Sequence, residues 1–164
     1  MDVYENVRAI QAAQLASVFW KPDVSLHDCL VTAIQTRGND LIFTFDDGFW
    51  LFPADPAAPV RATDRAAVVF HLALGQFAEE PEVILYERKK KRVYLRETPF
   101  SVFMERINHG DVFEFVNQYF NCSEVLFRGY FGPVQTFRDC ACDLRMTLSG
   151  IDFCWNGLNR ERGW

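Results

Sequence analysis

The donor atoms for a soft metal are all present in this chain, in Cys140-Ala141-Cys142, Cys154, Cys29 and His27. Structural zinc takes paired ligands two to four residues apart on a turn, whereas these cysteines fall in strand-like runs. With side chains alternating at period two, Cys140 and Cys142 share a face with Leu144, Met146 and Trp155, while Cys154 lies opposite with Arg145. The expectation is therefore buried thiols acting as small apolar groups, with no metal and no cofactor. His27-Asp28 sets an imidazole beside a carboxylate, yet only His71 and His109 remain to complete a shared site. Short polar side chains commonly bond to backbone, so that role is expected of the pair where a first helix meets a sheet. No Gly-x-Ser-x-Gly elbow or phosphate-cradling glycine motif occurs. Cys122, after Asn121 in a presumed turn, is the thiol expected at the surface, and no activating cation or helix N-terminus is visible beside it. These residue types lean away from an enzyme.

Two clusters suit binding. Arg88-Lys89-Lys90-Lys91-Arg92 places five cations in a row, leaving 12 basic residues against 22 acidic ones elsewhere, in a chain of net charge −5. Such a run docks phosphate, an acidic protein or an anionic surface, or else forms a solvated hairpin tip whose repulsion deters edge-to-edge pairing. The acidic total opposes general or sequence-specific nucleic-acid binding, which demands phosphate-neutralising charge. The second cluster is Asp111 to Phe120. Its Glu114, Asn117 and Tyr119 line either a partner surface or a half-buried strand.

The elements that must position these residues read mostly as β. Gly38-Asn39 and Asp47-Gly48 are hairpin turns that pair Thr36 with Leu41, Ile34 with Phe43, Phe45 with Trp50 and Phe43 with Phe52. One buried face results, carrying Leu30, Ile34, Leu41, Phe43, Phe45, Trp50 and Phe52, in a meander over about residues 28–53. Before it, Val3, Val7, Ile10, Leu15, Val18 and Phe19 recur at helical spacing behind an Asp2/Glu5 capping box, predicting a helix over about 2–19. Three prolines between Pro53 and Pro59 make a loop. Ala66 to Leu74 is apolar on both faces, as a central strand is. A hairpin follows over about 82–97. Thr98 as N-cap, Pro99, then Phe100, Phe103, Met104 and Ile107 predict a second helix over about 99–109. Strands over about 111–156 complete the chain, with Ser149-Gly150 turning Leu148 back onto Ile151, and the tail from Leu158 to Trp164 is expected to fray.

At 164 residues, with 16 Phe, 5 Tyr and 4 Trp, the chain has the size of one domain and a composition suited to strands. The expected fold is a single mainly β (α+β) domain over residues 1–164, with antiparallel meanders forming a sandwich or open barrel covered by two helices. Its core includes Leu30, Ile34, Phe43, Phe45, Trp50, Phe52, Phe103, Ile107, Leu144, Met146 and Trp155. No run reaches a membrane span and no signal peptide opens the chain, so a cytoplasmic protein with reduced thiols is expected. The helix followed by Leu26-His27-Asp28-Cys29, Asn39 to Phe49 and Phe113 to Tyr119 resembles small uncharacterised bacterial proteins, some of them similar to immunity proteins of polymorphic toxin systems. That resemblance implies an interaction protein with a toxin-like or other protein partner, and no catalytic residue. The alternative from another class is a small-molecule carrier or enzyme with a cavity inside the β structure.

Overall fold

A computed structural model describes residues 3–74 and 80–163. It is mainly β with two helices. In chain order the strands are β1 (Asn6–Gln11), β2 (Val24–Ser25), β3 (Cys29–Val31), β4 (Ala33–Arg37), β5 (Asp40–Phe45), β6 (Trp50–Leu51), β7 (Arg61–Thr63), β8 (Ala66–Leu72), β9 (Glu82–Lys89), β10 (Arg92–Thr98), β11 (Asp111–Asn121), β12 (Glu124–Pro133), β13 (Cys140–Trp155) and β14 (Leu158–Gly163). The helices are α1 (Leu15–Trp20) and α2 (Phe100–Asn108). No described helix is long and apolar enough to cross a membrane.

The larger sheet runs β3-β11-β12-β13-β8-β5-β4, all antiparallel. Its first and last members are consecutive pieces of one extended stretch, interrupted only at Thr32, whose N–H donates to the Thr44 carbonyl. Hydrogen bonding therefore returns to its start, and the sheet closes into a barrel. Fully buried phenylalanines fill it. Phe43 meets Phe70 at 4.9 Å, Phe70 meets Phe127 at 5.5 Å, Phe127 meets Phe115 at 4.9 Å and Phe115 meets Phe43 at 6.4 Å, a loop of rings contributed by four strands. Tilted and edge-on contacts of this kind add about 0.5–1.5 kcal/mol per pair beyond burial. A smaller sheet, β14-β7-β6-β2, packs beside the barrel.

Four expectations change. The N-terminal segment is not one helix: Asn6–Gln11 pairs with β13, a 3-10 turn follows, and only Leu15–Trp20 is α-helical. Its apolar letters do not alternate, since Val7 stays 57% exposed while Ile10 is buried on the opposite face, so the available β13 edge and not the periodicity makes the strand. The Asp2 of the expected capping box lies outside the described residues, as does Trp164. The meander ends early. Gly48 turns the chain at φ +68°, its N–H bonded to Phe45, but β6 then joins β2 and β7 while β8 takes the place beside β5. Leu30 consequently sits half-buried and Phe52 only packs against the core, while Phe49, absent from the expected buried face, is fully buried. Ser149-Gly150 is no hairpin turn. β13 continues through it for 16 residues with a bulge there, so Leu148 and Ile151 are both buried on one strand, and Trp155 is partly buried. The tail forms β14 against β7.

The hairpin β9–β10, the central position of β8 and helix α2 stand as expected, except that Pro99 is the N-cap and Thr98 ends β10 with a buried hydroxyl lacking a hydrogen-bond partner. Helix α2 lays Phe103 against Phe113 and Phe131. At the other end of β11, Phe19 of α1 stacks on Phe120 at 3.9 Å. Asn108, the last residue of α2, acts as a substitute strand: its amide donates to the Ile34 carbonyl and its oxygen accepts from the Ile34 N–H, both at 2.8 Å. Asn108→Ala strands two backbone groups of a buried residue, so urea unfolding is expected to register a loss of about 2–4 kcal/mol. A loss under about 0.5 kcal/mol, typical of an indifferent surface position, would show that Ile34 finds other partners.

Candidate interaction face

The barrel register assembles a continuous outer surface from β11, β12, β13, β9 and β10. Three rows cross it: Tyr119, Leu126, Arg145 and Glu82; then Asn117, Arg128, Asp143, Ile84 and Glu97; then Tyr130, Ala141, Tyr86 and Leu95. Alternation sets all of these on the face opposite the buried Phe127, Leu144 and Leu85. Arg88, paired with Val93, continues the face into the basic tip. A bulge between Phe115 and Asn117 brings Glu114, Asn117 and Tyr119 to the same side, because the extra residue resets the alternation. Gly129 permits the close approach there, since a Cβ would collide with the Glu114 carbonyl.

The fold thus gathers the candidate side chains without giving them one environment. Asn117 and Tyr119 are exposed, Tyr119 by 53%. Glu114 is buried, its carboxylate taking two bonds from Arg138 at 2.7 and 3.2 Å. It is a structural ion-pair partner rather than a free contact. Arg88 and Val93 lie on the outer face, Lys89 and Arg92 point to the other side, and Lys90 and Lys91 form the two-residue loop, Lys90 at φ +58°. Lys89 reaches toward the Tyr94 ring, 5.9 Å from its centroid.

At the centre of the face Arg128 grips Asp143 with two bonds, at 2.7 and 2.8 Å, and the Tyr86 hydroxyl donates to the same carboxylate at 2.8 Å. The Arg128 bonds hold the Asp143 carboxyl below the usual range despite burial, and the bond to Asp143 raises the Tyr86 phenol. Arg128 is exposed and Asp143 buried, so a charged head is presented to solvent on a fixed stem.

Groups with chemical potential elsewhere are engaged structurally. His27 Nδ1 faces the Val116 carbonyl at 2.7 Å and therefore donates, which anchors the bulge, and the Asp28 N–H donates to Phe115. Trp50 Nε1 donates to the His27 carbonyl. Of the expected side-chain bonds to backbone only that of His27 forms among the described residues; the Asp28 carboxylate lies 3.4 Å from His27 Nε2 instead. Burial pushes the Cys29 thiol up to about 12 and Cys154 to about 11, and raises Cys140 and Cys142 as well, which keeps all four protonated near neutrality. Cys122 is exposed. Among the described residues no group of three His, Cys, Asp or Glu is placed to hold a metal ion.

One constellation escaped the sequence. His71 on β8 lies between Asp40 on β5 and Asp152 on β13, with Nδ1 at 2.7 Å and Nε2 at 2.9 Å from the two carboxylates. Only the strand order β13-β8-β5 brings them together, and the available signal was a single polar letter in the apolar run Ala66 to Leu74. Burial lowers the imidazole pKa, but the two carboxylate bonds and charges outweigh it and hold the value above 6.5.

No family model, no curated protein and no solved structure matches the chain.

A raised imidazole pKa stabilises the fold where the ring is charged. The stability advantage of the wild type over His71→Gln is fully present below about pH 6.5, the unfolded-state value, and disappears as pH rises through the folded-state pKa. An NMR titration placing His71 at or below 6.5 would contradict the double carboxylate contact.

Proposed function

We propose that the chain is a non-enzymatic bacterial binding protein, of the kind that immunity proteins represent, and that it takes a protein partner on the outer face of β11, β12, β13, β9 and β10. The observation that carries this reading is the placement of Tyr86, Tyr119, Tyr130, Ile84, Leu126 and Leu95 around the fixed Arg128, on a face that β9 and β10 extend to the basic tip. Tyrosine and arginine are the residue types that concentrate binding energy at interfaces, because each offers a large contact area with a polar end at low entropic cost. A barrel filled by phenylalanine offers no chamber to line, so recognition on the outside agrees better with this interior than a carrier does. The five cations at one end favour a partner with acidic residues opposite Arg88 and the loop, and long-range attraction there speeds encounter more than it deepens affinity.

The test starts from the partner captured from the native cell and identified, with binding then measured on purified proteins. Tyr119→Ala and Leu126→Ala are each expected to weaken binding about tenfold or more. Replacing Lys89, Lys90 and Lys91 together with Ala is expected to slow association and flatten its salt dependence. Leu158→Ala, in the smaller sheet, serves as the control. Affinity indifferent to every substitution on the outer face would dispose of the reading.

A further inference from the structure

Beyond any heterologous partner, we infer that β10 pairs antiparallel with β10 of a second copy of this chain, on a two-fold axis at Leu95. Among the described residues β10 pairs only with β9, so its other edge is open. Edge strands are ordinarily blunted by a central charge, a proline or a cover. The middle of β10 carries instead Val93, Tyr94 and Leu95, exposed by 53, 47 and 68%.

Backbone direction limits the register. Lys89 and Arg92 close a two-residue loop as a hydrogen-bonded pair, so Arg92, Tyr94 and Arg96 turn their N–H and C=O toward β9, while Val93, Leu95 and Glu97 turn theirs outward. Outward residues must face outward residues, which requires the axis to pass through a residue. An axis at Tyr94 sets Arg92 against Arg96 of the other copy, and one at Arg96 sets that arginine against itself. The axis at Leu95 pairs Leu95 with itself, Val93 with Glu97 and Tyr94 with Arg96, free of any like-charge pair.

Charge along the hairpin selects the same arrangement. Its tip holds the five cations from Arg88 to Arg92, and its far end holds Glu80, Glu82 and Glu97 around an open pocket that Pro99, Phe100 and Thr98 also line. Thr98 is 6% exposed, and its hydroxyl is the one without a partner. Antiparallel pairing lays Lys90 and Lys91 of each copy over Phe100 and Pro99 of the other, at that acidic pocket. Parallel pairing would bring ten cations together. The contact is isologous and uses one edge per copy, so it closes at a dimer rather than growing into a fibre.

Sedimentation of the purified chain reads the dimer, and a charge exchange tests its geometry. The tip-reversed variant (Lys89→Glu, Lys90→Glu, Lys91→Glu) and the end-reversed variant (Glu80→Lys, Glu82→Lys, Glu97→Lys) are each expected to be monomeric with unchanged circular dichroism. Mixed together they are expected to form a heterodimer, since both junctions are again of opposite sign. In a Cys122→Ser background, mild oxidation is expected to cross-link Leu95→Cys, because a hydrogen-bonded pair sets the Cα atoms about 5.5 Å apart, within disulfide reach; Tyr94→Cys, which faces position 96, is expected to cross-link far less. A wild-type chain monomeric up to about 1 mM, the weak limit of specific association, would overturn the inference, as would a mixture that stays monomeric or equal cross-linking at positions 94 and 95. No other protein is present, so these outcomes are independent of the partner proposed above.

Discussion

The continuity of β13 through its bulge is the constraint on which the rest of the structure depends. Its first half lies between β12 and β9, and its second half between β8 and β1. A strand with neighbours on both sides of each half pairs most of its backbone groups at the centre of the fold. The bulge at Ser149 serves this continuity: it exchanges the faces, so that Cys142, Leu144, Met146 and Leu148 point inward before it and Ile151 and Phe153 after it. Gly150 keeps β1 close, because a Cβ there would meet the Ile10 carbonyl at 2.9 Å.

Barrel closure follows from that strand together with the bend at Thr32. Once the ring is closed, inward positions have a fixed volume to fill, and Phe43, Phe70, Phe115 and Phe127 fill it from four different strands. Rigid packing inside has a consequence outside. Tyr119, Leu126 and Arg128 on the outer face stand on β11 and β12, the strands that carry Phe115 and Phe127, so this part of the face is presented preformed. Arg128 adds to this, since its guanidinium is tied to a buried carboxylate that Tyr86 also holds.

The polar pairs of the molecule divide by burial. Glu114 with Arg138 and Asp143 with Arg128 each join a buried carboxylate to an exposed arginine, which spares the protein a buried charge without a partner. Asp40, His71 and Asp152 are half-buried and cross three adjacent strands, so they report on strand order as much as on pH.

Much of the local structure was legible in the letters. Gly38-Asn39 specifies the β4–β5 hairpin and its register, the run Arg88 to Arg92 marks the tip of the β9–β10 hairpin, and Phe100, Phe103 and Ile107 mark the buried stripe of α2. These are contacts between residues close in sequence, where turn chemistry and periodicity act directly. What the sequence left open was every choice between a near and a distant partner. Val7 and Ile10 are spaced as on one helix face yet lie in a strand, Ser149-Gly150 suits a turn or a bulge, and Asp47-Gly48 turns the chain without saying what it pairs with next. Tertiary structure decided each one, because an open edge of β13 or β5 rewards a strand that arrives from far along the chain. For the same reason the outer face was invisible as a unit. Tyr119, Arg128, Asp143 and Tyr86 become neighbours only through the order of four strands, and no spacing within any one of them records it.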